Sequence, residues 1–484
     1  MRHVVVVGNG MAGHRIASEL HAGGSEVRIT VLGAEPHAAY NRVLLTNLLA
    51  GKADERSIRL PDLPPGITVR TGVAVTAVDR AARTVTAADG SVTGYDTLVL
   101  ATGGSALLPP VKGLHGDDGV RLLPGIVVLR TLDDCQEVFR LVEGAERRTD
   151  GDSARVLVLG GGLLGLEAAR GLVQRGIGAE ILQGGEWLMS RQLDGAGGRA
   201  LRASLAELGV AARVGVQVES VVGDSRFEGV RCADGQLVPG DVLVVACGMR
   251  PATALAAAAG LPVGRGIVVD DRMRTADPRI FAIGDCAEHR GTLYGLVQPA
   301  WEQARVAART IAALPGTEPY RGTRVVTRLK TTGIDLATMG EVGADGSDDG
   351  DEVLTYLDSS RNVYQKLVIR DGRVAGAILV GGSATVGTIT QLFDRRAAVP
   401  QDRRLLLFPE LAGAAARTTA AADELVCLCN GVPRSEILRH CAGAGAARSV
   451  ASVAASTRAT TGCGGCRPLV EELLAGLPPA DGAG

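Results

Sequence analysis

The first apolar run of the chain, HVVVV at residues 3–7, is ended by the glycines of GNG. An unbroken β-branched run of this length predicts a strand covered on both faces. Residues 11–22 then change to the helical period, and VRITVL at 27–32 returns to an apolar run. The order strand, turn, helix, strand is a βαβ unit, and its turn carries Gly8-x-Gly10-x-x-Gly13. The same order recurs in ARVLVLGGGLLGLEAARGLVQRGIGAEILQ, where the turn carries Gly160-x-Gly162-x-x-Gly165. Between the two, TLVLATGG (97–104) reads as a strand ending in a Thr-Gly turn, and DVLVVACGMRP (241–251) reads alike after the second. IFAIGDCAEHRG (280–291) predicts a strand closing on Gly284-Asp285, with a helix at about 299–314.

From about residue 323 the texture changes to short strands with turn signals, as in RLKTTGIDLATMGEV, EVLTYLDSS and NVYQKLVIRDGRVAGAILVG, which predicts a small mixed domain. GADGSDDGDE (343–352) reads as a solvated hairpin loop, since its acids lack the spacing and closing Glu of a calcium loop. AGAAARTTAAADE (412–424) is a low-complexity linker into a cysteine-bearing module at about 425–475.

Composition narrows the partners. The formal net charge is −2 and no polybasic run occurs, which argues against nucleic acid. Every apolar run is broken before the roughly 18–20 residues that a membrane helix needs. The apolar stretch of MRHVVVVGNG is too short for a signal peptide, so it reads as the first strand of a cytoplasmic protein. Gly at 66 and aromatics at 3% predict tight turns and an aliphatic core. Cys135, Cys232, Cys247 and Cys286 stand alone and read as small buried hydrophobes.

A glycine triad between a strand and a helix has a physical use. The first allows the tight turn, the second lets backbone approach a pyrophosphate, and the third lets the helix pack on the strand. The helix N-terminus adds N–H groups and a positive dipole end. An acid is expected at the end of the second strand to hold ribose hydroxyls, and Glu35 is placed for it. In the second unit Gln183 takes that place and no Arg adjoins it, so the choice between NADH and NADPH stays open, with a lean to NADH.

With AAYNRVLLTNLLAGK (38–52), ATGG and FAIGDCAEH, the first 410 or so residues resemble the FAD-dependent pyridine-nucleotide reductases. YNRVLL and WLMSRQLD (187–194) bring the resemblance nearest to the N-terminal part of NAD(P)H-nitrite reductase large subunits and to electron-transfer subunits of assimilatory nitrate reductases. Thr46 and Asn47 stand where related ferredoxin reductases carry Ser-Lys. The resemblance implies that Gly8, Gly10, Gly13 and Glu35 bind the ADP half of FAD, and that Arg42 lies beside the flavin or its phosphates. Thr102 and Gly103 would close over the FAD, and Asp285 would bond its ribityl chain. Gly160, Gly162 and Gly165 would hold NAD(P)H, with Glu167 near the nicotinamide. His289, just past Asp285, could touch the flavin region. No close cysteine pair occurs in the first 420 residues, so disulfide reduction is not expected.

Cys427 and Cys429 form C-x-C, and Cys463 and Cys466 form C-x-x-C. Four thiolates in two close pairs suit zinc or an iron–sulfur cluster, although zinc knuckles usually carry C-x2-C on both sides. The pattern resembles bacterioferritin-associated-ferredoxin-like domains, which implies a [2Fe–2S] cluster, short helices between the pairs, and Cys441 left to packing.

The expected fold class is α/β, with two Rossmann-like dinucleotide-binding domains, a small α+β domain and a short helical [2Fe–2S] module. The FAD domain is expected at 1–112 and 240–322, the NAD(P)H domain at 113–239, the α+β domain at 323–410, the linker at 411–424 and the cluster module at 425–475. The expected function is electron transfer from NAD(P)H through FAD and [2Fe–2S] to a partner. By resemblance the partner is the molybdenum-containing catalytic subunit of an assimilatory nitrate reductase. Since no sirohaem part follows before Gly484, only the electron-delivery half is expected. The rivals are a reductase for a rubredoxin, ferredoxin or oxygenase component, and a non-enzymatic redox sensor with a C-terminal metal site.

Overall fold

Arg2–Val7 lies at the centre of a five-stranded parallel sheet in the order Ile280–Ala282, Thr97–Leu100, Arg2–Val7, Val27–Leu32, Ile67–Arg70. Val4 pairs with Ile29 on one side and Thr97 on the other. The structure is a computed structural model, and it describes every residue except 25–26, 117, 149–152, 330, 332, 345–349, 382–384, 409–424, 428–431, 443–447, 461–465 and 478–484. Val4, Val5 and Val6 are fully buried, as the unbroken apolar run requires. Each such side chain contributes roughly 1.5–3 kcal/mol relative to exposure. Helix α1 (Met11–Ala22) sends Ile16, Ala17 and Leu20 into this core.

The chain then crosses a short helix, α2 (Leu45–Leu49), and leaves the first unit through the strand Gly104–Ala106. A second five-stranded parallel sheet follows, ordered Ala211–Val214, Gly178–Gln183, Arg155–Leu159, Val242–Val245, Ile126–Val128. It carries α3 (Leu132–Arg148), α4 (Leu163–Gln174) and α5 (Gly195–Glu207). Val242–Val245 pairs with Arg155–Leu159, Val156 opposite Val242, so the chain returns to the first unit after this strand and not at residue 240. The physical reason is that a fully apolar strand belongs to whichever sheet can cover both its faces. The return strand, Met249–Pro251, runs antiparallel against the exit strand, Met249 opposite Ala106 and Pro251 opposite Gly104.

After α6 (Ala254–Ala258) and α7 (Val297–Ile311) comes a five-stranded antiparallel sheet, ordered Val326–Arg328, Leu336–Gly340, Arg373–Val380, Val363–Arg370, Asp351–Asp358. One face of it packs with α8 (Val386–Arg395) and α9 (Arg404–Leu407). From the other, Tyr364, Ile378 and Val380 enter the core of the second unit. Asp194 fastens this contact: it caps α5 by accepting from Gly197 N, and it takes the Tyr364 hydroxyl at 2.7 Å and Lys366 Nζ at 3.3 Å. The C-terminal module holds a two-stranded ribbon, Leu425–Cys427 with Val432–Pro433, and α10 (Arg434–Ala442), α11 (Val450–Thr457) and α12 (Arg467–Ala475). Among the described residues no helix is long and apolar enough to cross a membrane.

Candidate functional site

Both parallel sheets end, at their carboxyl edges, on a glycine loop. Gly8 has φ +115, and a Cβ there would stand 2.1 Å from the Ala101 carbonyl oxygen of the neighbouring strand. Gly160 repeats this, with φ +116 and Ala246 O at 2.5 Å. A Cβ on Gly13 or Gly165 would collide with the Gly8 or Gly160 carbonyl oxygen, so only glycine lets each helix pack this closely on its loop. Gly10 and Gly162, the N-cap positions of α1 and α4, face open space. Both loops therefore leave a helix N-terminus uncovered toward an anionic ligand.

A cavity of about 710 Å³ begins at the first loop. Gly8, Gly10, Glu35, Arg42, Thr102, Gly103 and Asp285 line it from the first unit, and Glu167 lines it from the second. Gly13, Gly160, Gly162 and Gly165 do not reach its wall. Asn9 Oδ1, in the first loop, is buried without a partner, as is Thr390 Oγ1 of α8, and both residues line the cavity. Orphaned buried acceptors are costly unless a ligand satisfies them. Those two atoms, the uncovered loop and the volume fit a dinucleotide.

Charged groups are arranged in pairs. Glu35 accepts the Tyr40 hydroxyl at 2.6 Å and forms an ion pair with Arg42, whose guanidinium lies 5.0 Å from the Tyr40 ring. Burial pushes the Tyr40 phenol well above its ordinary pKa. Arg42 also donates to the Arg130 carbonyl at 2.7 Å. Arg130 Nη2 lies 2.6 Å from Asp285 Oδ2. Asp134 holds Arg130 in place, accepting from the N–H groups of Arg130 and Thr131 while the Thr131 hydroxyl accepts from Asp134 N. This is a capping box at the start of α3. Thr102 donates its hydroxyl to Ala252 O at 2.8 Å and closes the seam beside the return strand. From behind the wall, Thr46 of α2 donates to Oε2 of the lining Glu167 at 2.9 Å.

Sequence reasoning missed Arg130, Tyr40 and the α8 residues Thr390 and Asp394, all of which line the cavity. Arg130 carried a usable signal, since it follows a buried strand at the carboxyl edge where ligands of open α/β sheets sit. Gln183 accepts from Gly161 N at 2.7 Å and so steadies the second loop. His289 does not reach the cavity: it is buried against Tyr320, with ring centroids 4.8 Å apart, and bonds Asp271 at 2.9 Å.

Cys427 and Cys466 line the same cavity, the only cysteines that do so among the described residues. Both are buried, at 0% and 5% exposure. Thr460 N donates to Cys466 Sγ at 3.2 Å, the kind of hydrogen bond that stabilises a ligating thiolate. Cys429 and Cys463 lie outside the described residues. The thiols present fit a cluster ligand set open to the cavity. Cys441 packs in the core of the module, Cys135, Cys232 and Cys286 sit in the cores of the two parallel-sheet units, and Cys247 is half-buried against one of them; none of the five lines the cavity.

The profile of the pyridine nucleotide-disulphide oxidoreductases matches residues 2–310. That of the rubredoxin NAD+ reductase C-terminal domain matches 326–397, and that of the BFD-like [2Fe-2S] binding domain matches 425–476. The chain is 36% identical over 98% of its length to a nitrite reductase [NAD(P)H] of Bacillus subtilis (strain 168), covering 57% of it. It is 32% identical, again over 98%, to the assimilatory nitrate reductase electron transfer subunit of the same organism, covering 59% of that protein. It thus spans little more than half the length of these curated relatives. The reductase in the covalent putidaredoxin reductase–putidaredoxin complex superposes with a TM-score of 0.73 at 28% identity, over 86% of this chain and 99% of that one.

Proposed function

The chain belongs to the pyridine nucleotide-disulphide oxidoreductase family, with a BFD-like [2Fe–2S] domain at its C-terminal side, and from this we propose that it passes electrons from NAD(P)H through FAD and the cluster to a partner protein. One observation carries the order of transfer: Cys427 and Cys466 line the cavity that also holds Gly10, Asp285 and Glu167. FAD accepts a hydride and releases single electrons, which a [2Fe–2S] cluster carries one at a time. The residues of the chain bind, orient and shield. The first loop and the N-terminus of α1 take the pyrophosphate, Glu35 holds the adenosine ribose, and Arg42 sits beside it. Asp285 is positioned by Arg130 for the ribityl hydroxyls. Thr46 fixes the Glu167 carboxylate at the nicotinamide side, beside the N-terminus of α4. Cys427, Cys429, Cys463 and Cys466 ligate the cluster.

The acceptor we favour is the molybdenum-containing catalytic subunit of an assimilatory nitrate reductase, in keeping with the likeness to the Bacillus subtilis electron transfer subunit. A small iron–sulfur protein is the second reading, favoured by the likeness to the putidaredoxin reductase complex. The experiment is anaerobic stopped-flow absorbance with NADH, then NADPH, paired with EPR. Flavin bleaching followed by a rhombic [2Fe–2S] signal supports the order; bleaching alone refutes it. Adding each candidate acceptor to the reduced protein then decides between them, by which one drains the cluster.

A further inference from the structure

We infer that the C-terminal module is seated over the mouth of the flavin cavity by Trp301, and that this seat makes the cluster the sole exit for electrons. The inference rests on the transfer order proposed above. Trp301 stands on α7, whose neighbouring face sends Ala304, Ala307, Ala308 and Ile311 into the core of the flavin unit. The Trp301 side chain does not join them. It belongs instead to the buried core of the module, with Val426, Cys427, Val432, Ile437 and Val470, and it is 3% exposed. Its Nε1 donates to the carbonyl of Met11, the first residue of α1, at 3.3 Å. The Arg15 guanidinium lies 5.1 Å from its ring. One indole therefore joins the helix that opens at the first glycine loop to the buried core that holds Cys427 and Cys466. At the rim, Arg458 of the module faces Glu19 of α1 at 4.0 Å.

Trp301 does not line the cavity, whereas Val426, Cys427, Cys466 and Leu469 do, next to Met11 and Val297. The module thus forms part of the cavity wall, and Trp301 acts on the flavin only through it, as a positioning residue. With the module seated, small oxidants and outside proteins are kept from the flavin by apolar side chains of the module. The electrons balance simply. NADH delivers two electrons and one proton as hydride. With both groups bound, the two electrons would leave one at a time through the cluster to an external one-electron acceptor, and the proton would be released to solvent.

The test uses full-length holoprotein, Trp301→Ala and Trp301→Phe. Flavin bleaching by NADH should be unchanged in both. In Trp301→Ala, cluster reduction should slow about tenfold and reoxidation of the reduced flavin by dioxygen should quicken about tenfold, and Trp301→Phe should restore most of each. Hydroxyl-radical footprinting of the wild-type holoprotein reads the seat without turnover and without a variant that must fold. Trp301 should be oxidised about tenfold more slowly than in the urea-unfolded chain, as its burial requires. Wild-type rates of both steps in Trp301→Ala, or footprinting at close to the unfolded rate, would overturn the seat while leaving the transfer order intact. Absence of cluster reduction in the wild type would overturn the transfer order itself.

Discussion

Asp194 offers a sharp test of how the small domain is held, because one carboxylate does three jobs. It caps α5 through Gly197 N, accepts the Tyr364 hydroxyl and faces Lys366, whose side chain is 8% exposed. Loss of an N-cap costs about 1 kcal/mol. A hydrogen bond to a charged group adds about 1.5–3 kcal/mol. Lys366 keeps the Val342 carbonyl at 2.9 Å, so its stranding adds less than the full cost of a broken buried pair. Asp194→Ala should therefore destabilise by about 3–4 kcal/mol. Asp194→Asn keeps the cap and an acceptor for Tyr364, and should lose about 1–2 kcal/mol. At about 2–4 °C per kcal/mol for a unit of this size, the alanine variant should melt some 6–16 °C lower. The assay is thermal unfolding followed by circular dichroism and flavin release, read as apparent midpoints because several units unfold. Burial opposes ionisation of Asp194, yet Gly197 N–H, Tyr364 and Lys366 together hold its carboxyl below the ordinary range. A depressed pKa stabilises above the unfolded value of about 3.9 and is lost as pH falls through the folded value. The gap between wild type and Asp194→Asn should accordingly close below about pH 4. A shift under about 2 °C for Asp194→Ala, or equal costs for both variants, would refute the reasoning.

Glu167→Ala should slow flavin reduction by NADH by up to about a hundredfold with flavin content retained, and Thr46→Val should reproduce a smaller part of that loss, both measured by stopped flow. Cys466→Ser should abolish the [2Fe–2S] absorption and EPR signal while NADH still bleaches the flavin. Asp394 is pushed up to about 6 by burial, with Glu302 adding to it and Arg324 and Arg328 opposing. A raised carboxyl pKa means the folded state holds the extra proton, so this group costs stability as pH rises from about 4 through 6. Asp394→Asn should remove that slope and gain on the order of 1–2 kcal/mol at pH 8, read as the denaturation midpoint across pH.

The two βαβ units were legible because fully buried parallel strands must be written as unbroken apolar runs and their turns need glycine at fixed offsets. Residues 11–22 were read as helical, and the helix is Met11–Ala22. Sheet membership was harder. DVLVVACG has the same texture whichever sheet it joins, so only pairing with Arg155–Leu159 reveals where the second unit ends. Arg130 was missed because its role depends on Asp285, far along the chain, and no local pattern records that distance. Thr390 and Asp394 reach the cavity only through the packing of α8 on a sheet whose own pattern reads as an ordinary small domain. His289 shows the converse: sequence nearness to Asp285 suggested the flavin, yet the ring turns into the core beside Tyr320.

The exit and return strands at Gly104–Ala106 and Met249–Pro251 are bonded to each other, and Leu107 N and Ala252 N extend the pairing to Gly248 O and Gly103 O at 3.0 and 2.9 Å. The inserted unit therefore joins its host through two backbones that run side by side. Such a join is a cassette boundary. A unit cut out at this seam, where two peptide links already stand together, leaves the strands of the first sheet whole, and its replacement needs only to cover Leu45, Leu49, Tyr364, Ile378 and Val380 as the present one does.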